Sequence, residues 1–411
     1  MSIPEERQFS LAEAESRVMA DLLELNLTQQ TYVMGAGPCA VWTELYDVAG
    51  TFKTGGWGKG DLQAARVGAL YESLEHLTTH HDASSGAVAR PVTDILASLP
   101  ENEASALPGL LLADQRESAI ACRSYRDLAG GAAFDYPVAL SSPDYPDAPL
   151  PSDTFGYNAL RRYSSNSGTA IGASLEEATL HALNESIERD AISLFLLTHF
   201  FHAGDAPLHV LGVDGLPDDV AALHRKAAVL LDADICLLDI STGFGVTTCI
   251  ALAHREDPVP RPFGAGASLN PAHAARRAIT ELLQCCLGQE CSSAAIQPPA
   301  GSAADPSLAL TPWPRLLASL TLDIEARLFS QQVVSSRIEE RPQGTIAEQI
   351  ASIVDQLSRH SLRAGINVLR TTSIGTTVVN VVVPGLERFY LVSTGNVVAP
   401  GARGCALAAS R

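Results

Sequence analysis

The chain of 411 residues contains no apolar run long enough to span a membrane and no signal-peptide pattern at its N-terminus, so the reading is of a cytoplasmic protein with no membrane partner. It is also poor in positive charge. Its 28 Lys and Arg stand against 46 Asp and Glu, a formal charge of −18. That excludes a nucleic-acid partner bound through a basic surface. Charged residues make up only 18% and aromatics 6%, while apolar residues reach 46%, which suits a folded globular chain large enough for more than one core. The eight cysteines include no C-x-x-C pair and no zinc-type spacing, so they read as reduced thiols. Cys285, Cys286 and Cys291 cluster on one apolar helical stretch, where packing is the commoner role. There is no G-x-x-x-x-G-K-[ST], because GGWGKG is followed by Asp61, and no G-x-S-x-G elbow.

What is present is a pattern that occurs three times: a Gly-rich segment followed by a helix. TGGWGKG (54–60) leads into a helix over 61–80, SSNSGTAIGAS (164–174) into one over 174–200, and FGAGASLN (263–270) into one over 271–289. A further helix is expected over 6–27, strands within 31–52, a helix over 220–231, and strands at ICLLDIS and VTTCIALAH. A helix over 346–359 then precedes the strand runs INVLRTT and TTVVNVVVP. The organisation read from this is an N-terminal helix and strand region (1–53), a catalytic domain (54–390) with an irregular insertion (81–160), and a C-terminal tail (391–411). The fold class is α/β or α+β.

Each Gly-led helix carries a polar stripe. Gly68, Glu72 and Glu75 in the first, His181, Glu185 and Glu188 in the second, and Arg277, Glu281 and Gln284 in the third stand at relative positions 0, 4 and 7. At about 100° per residue these share one face. The middle helix is apolar over most of its circumference, yet Glu177, His181, Glu185, Glu188 and Arg189 fall within an arc of about 120°. A single stripe of this kind is usually a solvated face. Buried carboxylates need cations, and with Glu72, Glu75 and Glu281 added the negative charge suits hard divalent ions such as Mg²⁺. His80 and His81 read as a solvated helix end and Trp57 as packing.

In this order the residues resemble the YcaO family: GKG (58–60) followed by Glu72 and Glu75, then Glu185, Glu188 and Arg189, then Thr280 to Gln284, then VVVPGLE (381–387). The resemblance implies a YcaO-type fold with mixed sheets, in which three helices converge their glutamates on a cavity for Mg²⁺ and ATP. It implies Glu72, Glu75, Glu185, Glu188 and Glu281 as metal ligands, and Glu177, Arg189, Arg277, Glu281 and Gln284 around the nucleotide. Glu188, Arg189 and Arg277 carry the catalytic role. Arg7, Ser16 and Arg17 are candidates for a further phosphate contact. The implied activity is ATP-dependent phosphorylation of peptide-backbone amides, foremost cyclodehydration of Cys, Ser or Thr in a ribosomally made precursor peptide, as for thiazole/oxazole-modified microcins. The alternatives are thioamide formation and an accessory subunit without turnover. A separate E1-like leader-peptide-binding or sulfur-delivery partner is expected, and a homodimer is admitted. The tail GARGCALAASR lacks the Pro-rich end of many azoline-forming relatives, so its order is expected to come from a partner, or the base from elsewhere.

Overall fold

The computed structural model describes residues 3–81, 83–254, 261–292, 306–330, 332–341 and 343–409. Helix α1 (Leu11–Glu24) starts at a capping box in which Ser10 and Glu13 satisfy each other's backbone N–H groups. An antiparallel meander follows, β1 (Leu27–Met34), β2 (Cys39–Asp47) and β3 (Phe52–Gly60), and leads directly into α2 (Leu62–His81). The next strands are β4 (Val88–Pro91), β5 (Ala119–Asp127), β6 (Phe134–Pro137) and β7 (Thr169–Gly172), after which the long helix α3 (Leu175–Leu196) begins at Ser174, whose hydroxyl accepts the N–H of Glu177. Strand β8 (Leu208–Leu211), helix α4 (Asp218–Leu231), strands β9 (Asp234–Asp239), β10 (Thr247–His254) and β11 (Phe263–Ser268), and helix α5 (Pro271–Ser292) come next. The chain continues through β12 (Val333–Ser336), helix α6 (Ile346–Arg359), β13 (Gly365–Thr371) and β14 (Thr377–Val382).

Among the described residues the strands form three sheets. Besides the meander there is an antiparallel sheet in the order β4-β5-β13-β14-β7, with β6 also on β5, and a mixed sheet in the order β11-β10-β9-β8-β12, whose β8–β12 pair is parallel. The fold is therefore α+β, with one mixed and two antiparallel sheets among the described residues. Helix α3 lies in the middle, its Leu180, Leu183 and Ile187 packed with Ile353 of α6 and Val379 and Val381 of β14, and its Ile192, Phe195 and Leu196 in the largest core.

Several elements depart from the sequence expectation. Two of the Gly-rich segments expected as loops are strands: TGGWGKG lies in β3 and FGAGAS is β11. The reason is close approach rather than turning. A Cβ on Gly58 would stand 1.8 Å from the carbonyl oxygen of Ala65, one on Gly56 2.3 Å from the nitrogen of Ser73, and one on Gly264 2.1 Å from the nitrogen of Leu282. Only glycine lets α2 and α5 lie flat on the strands that precede them. The segment 81–160 carries short elements, of which β5 joins β4, β6 and β13 in one sheet; its strands and helices are too short to show a period.

Part of the tail is held within this chain. Residues Ala402–Ala409 form a helix held by this chain's own groups: the Glu387 carboxylate accepts the N–H groups of Gly401 and Gly404 (2.9 Å each), and Arg403 pairs with Asp190. Arg411 lies outside the described residues.

Candidate active site

Seen from the backbone upward, the site is built by the glycine contacts. A methyl on Gly56 would meet the carbonyl carbon of Glu72 at 2.7 Å, and one on Gly264 the carbonyl carbon of Glu281 at 2.9 Å. Two strand-helix units thus fix a glutamate at the same point of contact. The third helix, α3, is buried on most sides and carries Glu188 at 3% exposure, with Glu185 and Arg189 half-buried.

These carboxylates lie within electrostatic reach of one another. Burial pushes Glu72 up to about 7; Lys59 partly offsets this, and the charges of Glu281 and Glu185 add to it. Burial likewise raises Glu188 to about 7, against the pull of Arg189 and with the push of Glu281 and Glu185. Glu75 is held well above the usual carboxylate range by burial and by Glu72 and Glu185, and Glu185 is raised by burial despite Arg189. Glu281 alone is lowered, because Lys59, Arg189 and Arg277 outweigh its burial. The charges of these glutamates, drawn from three helices, thus act on one another. Among the described residues, no three His, Cys, Asp or Glu side chains come together closely enough to form a metal cage by themselves.

Cations are interleaved with them. Lys59, at the end of β3, pairs with Glu281 of α5. Arg189 reaches Glu185 at 3.4 Å and Glu188 at 3.7 Å. Arg277, Arg7, Lys59 and His273 add to burial in holding His181 well below the usual imidazole range, so that it stays neutral. Around this ring of charge, buried polar atoms go unbonded: Oε2 of Glu188, Nε of Arg189 and Nε of Arg277. Such atoms cost free energy unless a ligand or water meets them. Mg²⁺ characteristically takes one or two carboxylates together with phosphate oxygens and water, so the residues present fit a magnesium nucleotide without a closed protein cage.

The remaining predicted residues fall in different places. Glu177 is occupied by backbone: its oxygens accept the N–H of Gln8 (2.6 Å) and of Ala173 (3.1 Å), tying the N-terminal segment to the start of α3. Arg17 is structural, donating to the carbonyls of Ala173 (3.0 Å) and Ile374 with Phe9 against its guanidinium, and Ser16 is exposed. Gln284 sits half-buried one turn beyond Glu281. Cys285 is half-buried and Cys286 buried, while the Cys291 side chain is outside the described residues. Two groups that sequence reasoning gave no role belong to the charged ring. Lys59 was visible as the middle of GKG and His181 as the first member of the α3 stripe. Tyr390 was not legible. Its hydroxyl bonds Ser165 (2.5 Å) and Ser167 (2.8 Å), and its ring lies 5.7 Å from the Arg189 guanidinium carbon, bracing the loop before β7 against the site.

Residues 57–387 match the family described as "YcaO cyclodehydratase, ATP-ad Mg2+-binding", and the chain belongs to the YcaO family. ATP and Mg²⁺ are the cofactors of that family. An uncharacterised protein of Methanothermobacter thermautotrophicus is 28% identical over 237 residues, covering 55% of this chain and 56% of the relative. Among solved structures, YcaO from Methanopyrus kandleri bound with AMPPCP and Mg²⁺ superposes with a TM-score of 0.65 at 19% identity, covering 96% of this chain and 95% of that one. A heterocyclase in complex with substrate and cofactor gives a TM-score of 0.68 at 19% identity, covering 95% of this chain and 55% of the heterocyclase. The E. coli microcin synthetase McbBCD complex with pro-MccB17 bound gives 0.59 at 12% identity, with 88% of each chain covered. This chain thus spans about half the length of the Methanothermobacter relative and of the heterocyclase.

Proposed function

We propose that the chain is an ATP-dependent enzyme that activates peptide-backbone amides by phosphorylation, and that its reaction is the cyclodehydration of Cys, Ser or Thr residues in a ribosomally made precursor peptide. What supports this reading is the mutual charge effect among Glu72, Glu75, Glu185, Glu188 and Glu281, the pairing of Lys59 with Glu281 and of Arg189 with Glu185 and Glu188, and polar atoms of Glu188, Arg189 and Arg277 left unbonded. Carboxylates and cations interleaved in this way suit a metal-bound polyphosphate, and neither set suits an apolar ligand.

In this reading Glu72, Glu75, Glu185, Glu188 and Glu281 hold Mg²⁺, and Arg189, Arg277 and Gln284 face the nucleotide. Bound there, Mg·ATP supplies the phosphoryl group that turns a poor amide oxygen into a leaving group. Arg189 and Arg277 offset negative charge at the phosphoryl oxygens, the largest contribution a protein makes to such a transfer. Lys59 keeps Glu281 ionised, and so ready to bind a cation, whereas Glu72 and Glu188 must first release protons. The microcin synthetase complex contains a pro-peptide, which supports a peptide substrate here and a separate protein to present it.

The test is to titrate Mg·AMPPCP calorimetrically with and without a chelator, and then to incubate the enzyme, ATP, the peptide encoded beside its gene and the neighbouring partner protein. Loss of one water per modified residue with matching ADP release is expected. Replacement of oxygen by sulfur would move the reaction to thioamide formation, and binding without turnover would leave an accessory subunit.

A further inference from the structure

A cavity of about 170 Å³ lies at the C-terminal end of α2, lined by His80, Arg123, Ser142, Asp144, Asn166 and Thr169. Two elements place it beside the carboxylates. Along α2, the lining residues Thr78 and Thr79 follow Glu75 by about one turn, roughly 4.5 to 6 Å of helix rise. Along the loop before β7, the Gly168 N–H faces Glu185 while the next residue, Thr169, lines the cavity.

Inside it, Nδ1 of His80 stands 2.7 Å from Oδ2 of Asp144. An ionised carboxylate can only accept, so Nδ1 donates to Asp144, and in the neutral imidazole this tautomer leaves the lone pair on Nε2. An imidazole oriented in this way is a proton acceptor. The two side chains are 57% and 51% exposed, open to a peptide arriving from solvent. The wall behind them is fixed: Arg123 donates to the carbonyls of Ser85 (3.0 Å) and Ala83 (2.7 Å), pinning the turn that follows α2. The neighbouring His76 is engaged with the Gly55 carbonyl at 2.8 Å, its ring edge-on to His80 at 5.9 Å.

We propose that this cavity receives the residue being cyclised, and that His80, oriented by Asp144, takes the proton from its attacking Cys, Ser or Thr side chain. The proposal rests on the amide-activation reading above. For a cysteine, sulfur bonds to the carbon of the preceding amide, the thiol proton passes to Nε2 of His80, and the carbonyl electron pair moves to oxygen. That oxygen takes the γ-phosphoryl group of ATP as the bond to ADP breaks. The amide nitrogen then gives its proton to solvent water and uses the freed electron pair to form the C=N bond, and the C–O bond breaks with its electrons leaving on the phosphate. Asp144 is a positioning residue.

The probes are Mg·AMPPCP and the pentapeptide Gly-Gly-Cys-Gly-Gly. In the enzyme grown with isotope-labelled histidine, the His80 imidazole signals are assigned by their absence from His80→Asn. With Mg·AMPPCP present, the pentapeptide is expected to shift them, and the shift should vanish in Ser142→Phe, which fills the cavity. With ATP, His80→Asn is expected to lose about 10²-fold or more in kcat for cyclisation at unchanged peptide KM and Mg·AMPPCP affinity, the scale of a general base. Asp144→Asn should lose less, with partial rescue by Asp144→Glu. Mg·AMPPCP binding without any perturbation of His80 by the pentapeptide, or equal kcat in His80→Asn, would overturn the assignment while leaving amide activation standing. Failure of the wild type to bind Mg·AMPPCP would remove both.

Discussion

The guanidinium of Arg403 grips the carboxylate of Asp190 through two bonds of 2.9 Å each, joining the C-terminal helix to the residue next to Arg189. Asp190 is wholly buried, accepts the Glu387 N–H at 2.8 Å as well, and is raised by burial even with Arg403 beside it. Removing one partner strands the other charge in the core. Arg403→Ala is therefore expected to destabilise the protein by about 3–5 kcal/mol in urea unfolding, whereas the double change Asp190→Asn with Arg403→Met should recover much of that loss. Equal stability of Arg403→Ala and wild type would show that the tail is not held by this pair.

Glu188 combines deep burial with an oxygen that bonds to nothing. Glu188→Gln keeps the shape and removes the charge, so two opposite effects are expected. Mg·ATP turnover should fall by about 10²-fold or more, through lost stabilisation at the phosphoryl centre. The metal-free protein should be at least as stable as wild type in thermal unfolding, because a desolvated carboxylate has gone. A loss of stability together with activity would mean that Glu188 serves the core and not the cation.

The raised carboxylates give the metal-free protein a defined pH dependence. Glu72 and Glu188 titrate near 7 when folded and near the ordinary value of 4.5 when unfolded. Between these values the folded state holds protons on these two groups that the unfolded chain has released, so their contribution to stability falls as pH rises from about 4.5 to about 7. Mg²⁺ needs the ionised forms. The rise in melting temperature produced by Mg·AMPPCP should accordingly be small at about pH 5.5 and large at about pH 8, read by thermal shift at constant ionic strength. A shift independent of pH would remove these two carboxylates from the cation site.

The three helical stripes were legible because a helix repeats its face every 3.6 residues. Order was legible too, since GKG, E-x-x-E-R and T-E-L-L-Q follow one another along the chain. Glycine misled. In TGGWGKG and FGAGAS it reads as punctuation, yet it marks strands pressed against a helix, and such strands lose the apolar alternation that would reveal them. Pairings across long separations left no local trace: His80 meets Asp144 64 positions away, and Arg403 meets Asp190 across 213. Glu177 shares the face of Glu185 but lies at the helix start, where it accepts the N–H groups of Gln8 and Ala173, the first a tie across 169 positions that a stripe alone does not reveal.

The glycine contacts also make a prediction about where the site gets its geometry. A methyl on Gly264 would stand 2.1 Å from both the Ala278 oxygen and the Leu282 nitrogen. Both are backbone atoms of α5, so no side chain can swing aside, and the helix itself must lift from β11. Glu281 would move with it, away from Lys59, which sits on the separate β3 and would not follow. Gly264→Ala is thus expected to cost about 1–3 kcal/mol in urea unfolding, the range for an overpacked core. Its Mg·AMPPCP affinity should fall by about tenfold or more, as expected when a charge-assisted contact is displaced. Gly212 is the control, with nothing within 4 Å of its added methyl and a φ of −68°, so Gly212→Ala should stay within about 0.5 kcal/mol of wild type. Calorimetric titration of the two variants side by side decides the matter. If Gly264→Ala loses stability but binds Mg·AMPPCP like the control, the strand beneath α5 supports the core without setting the position of Glu281.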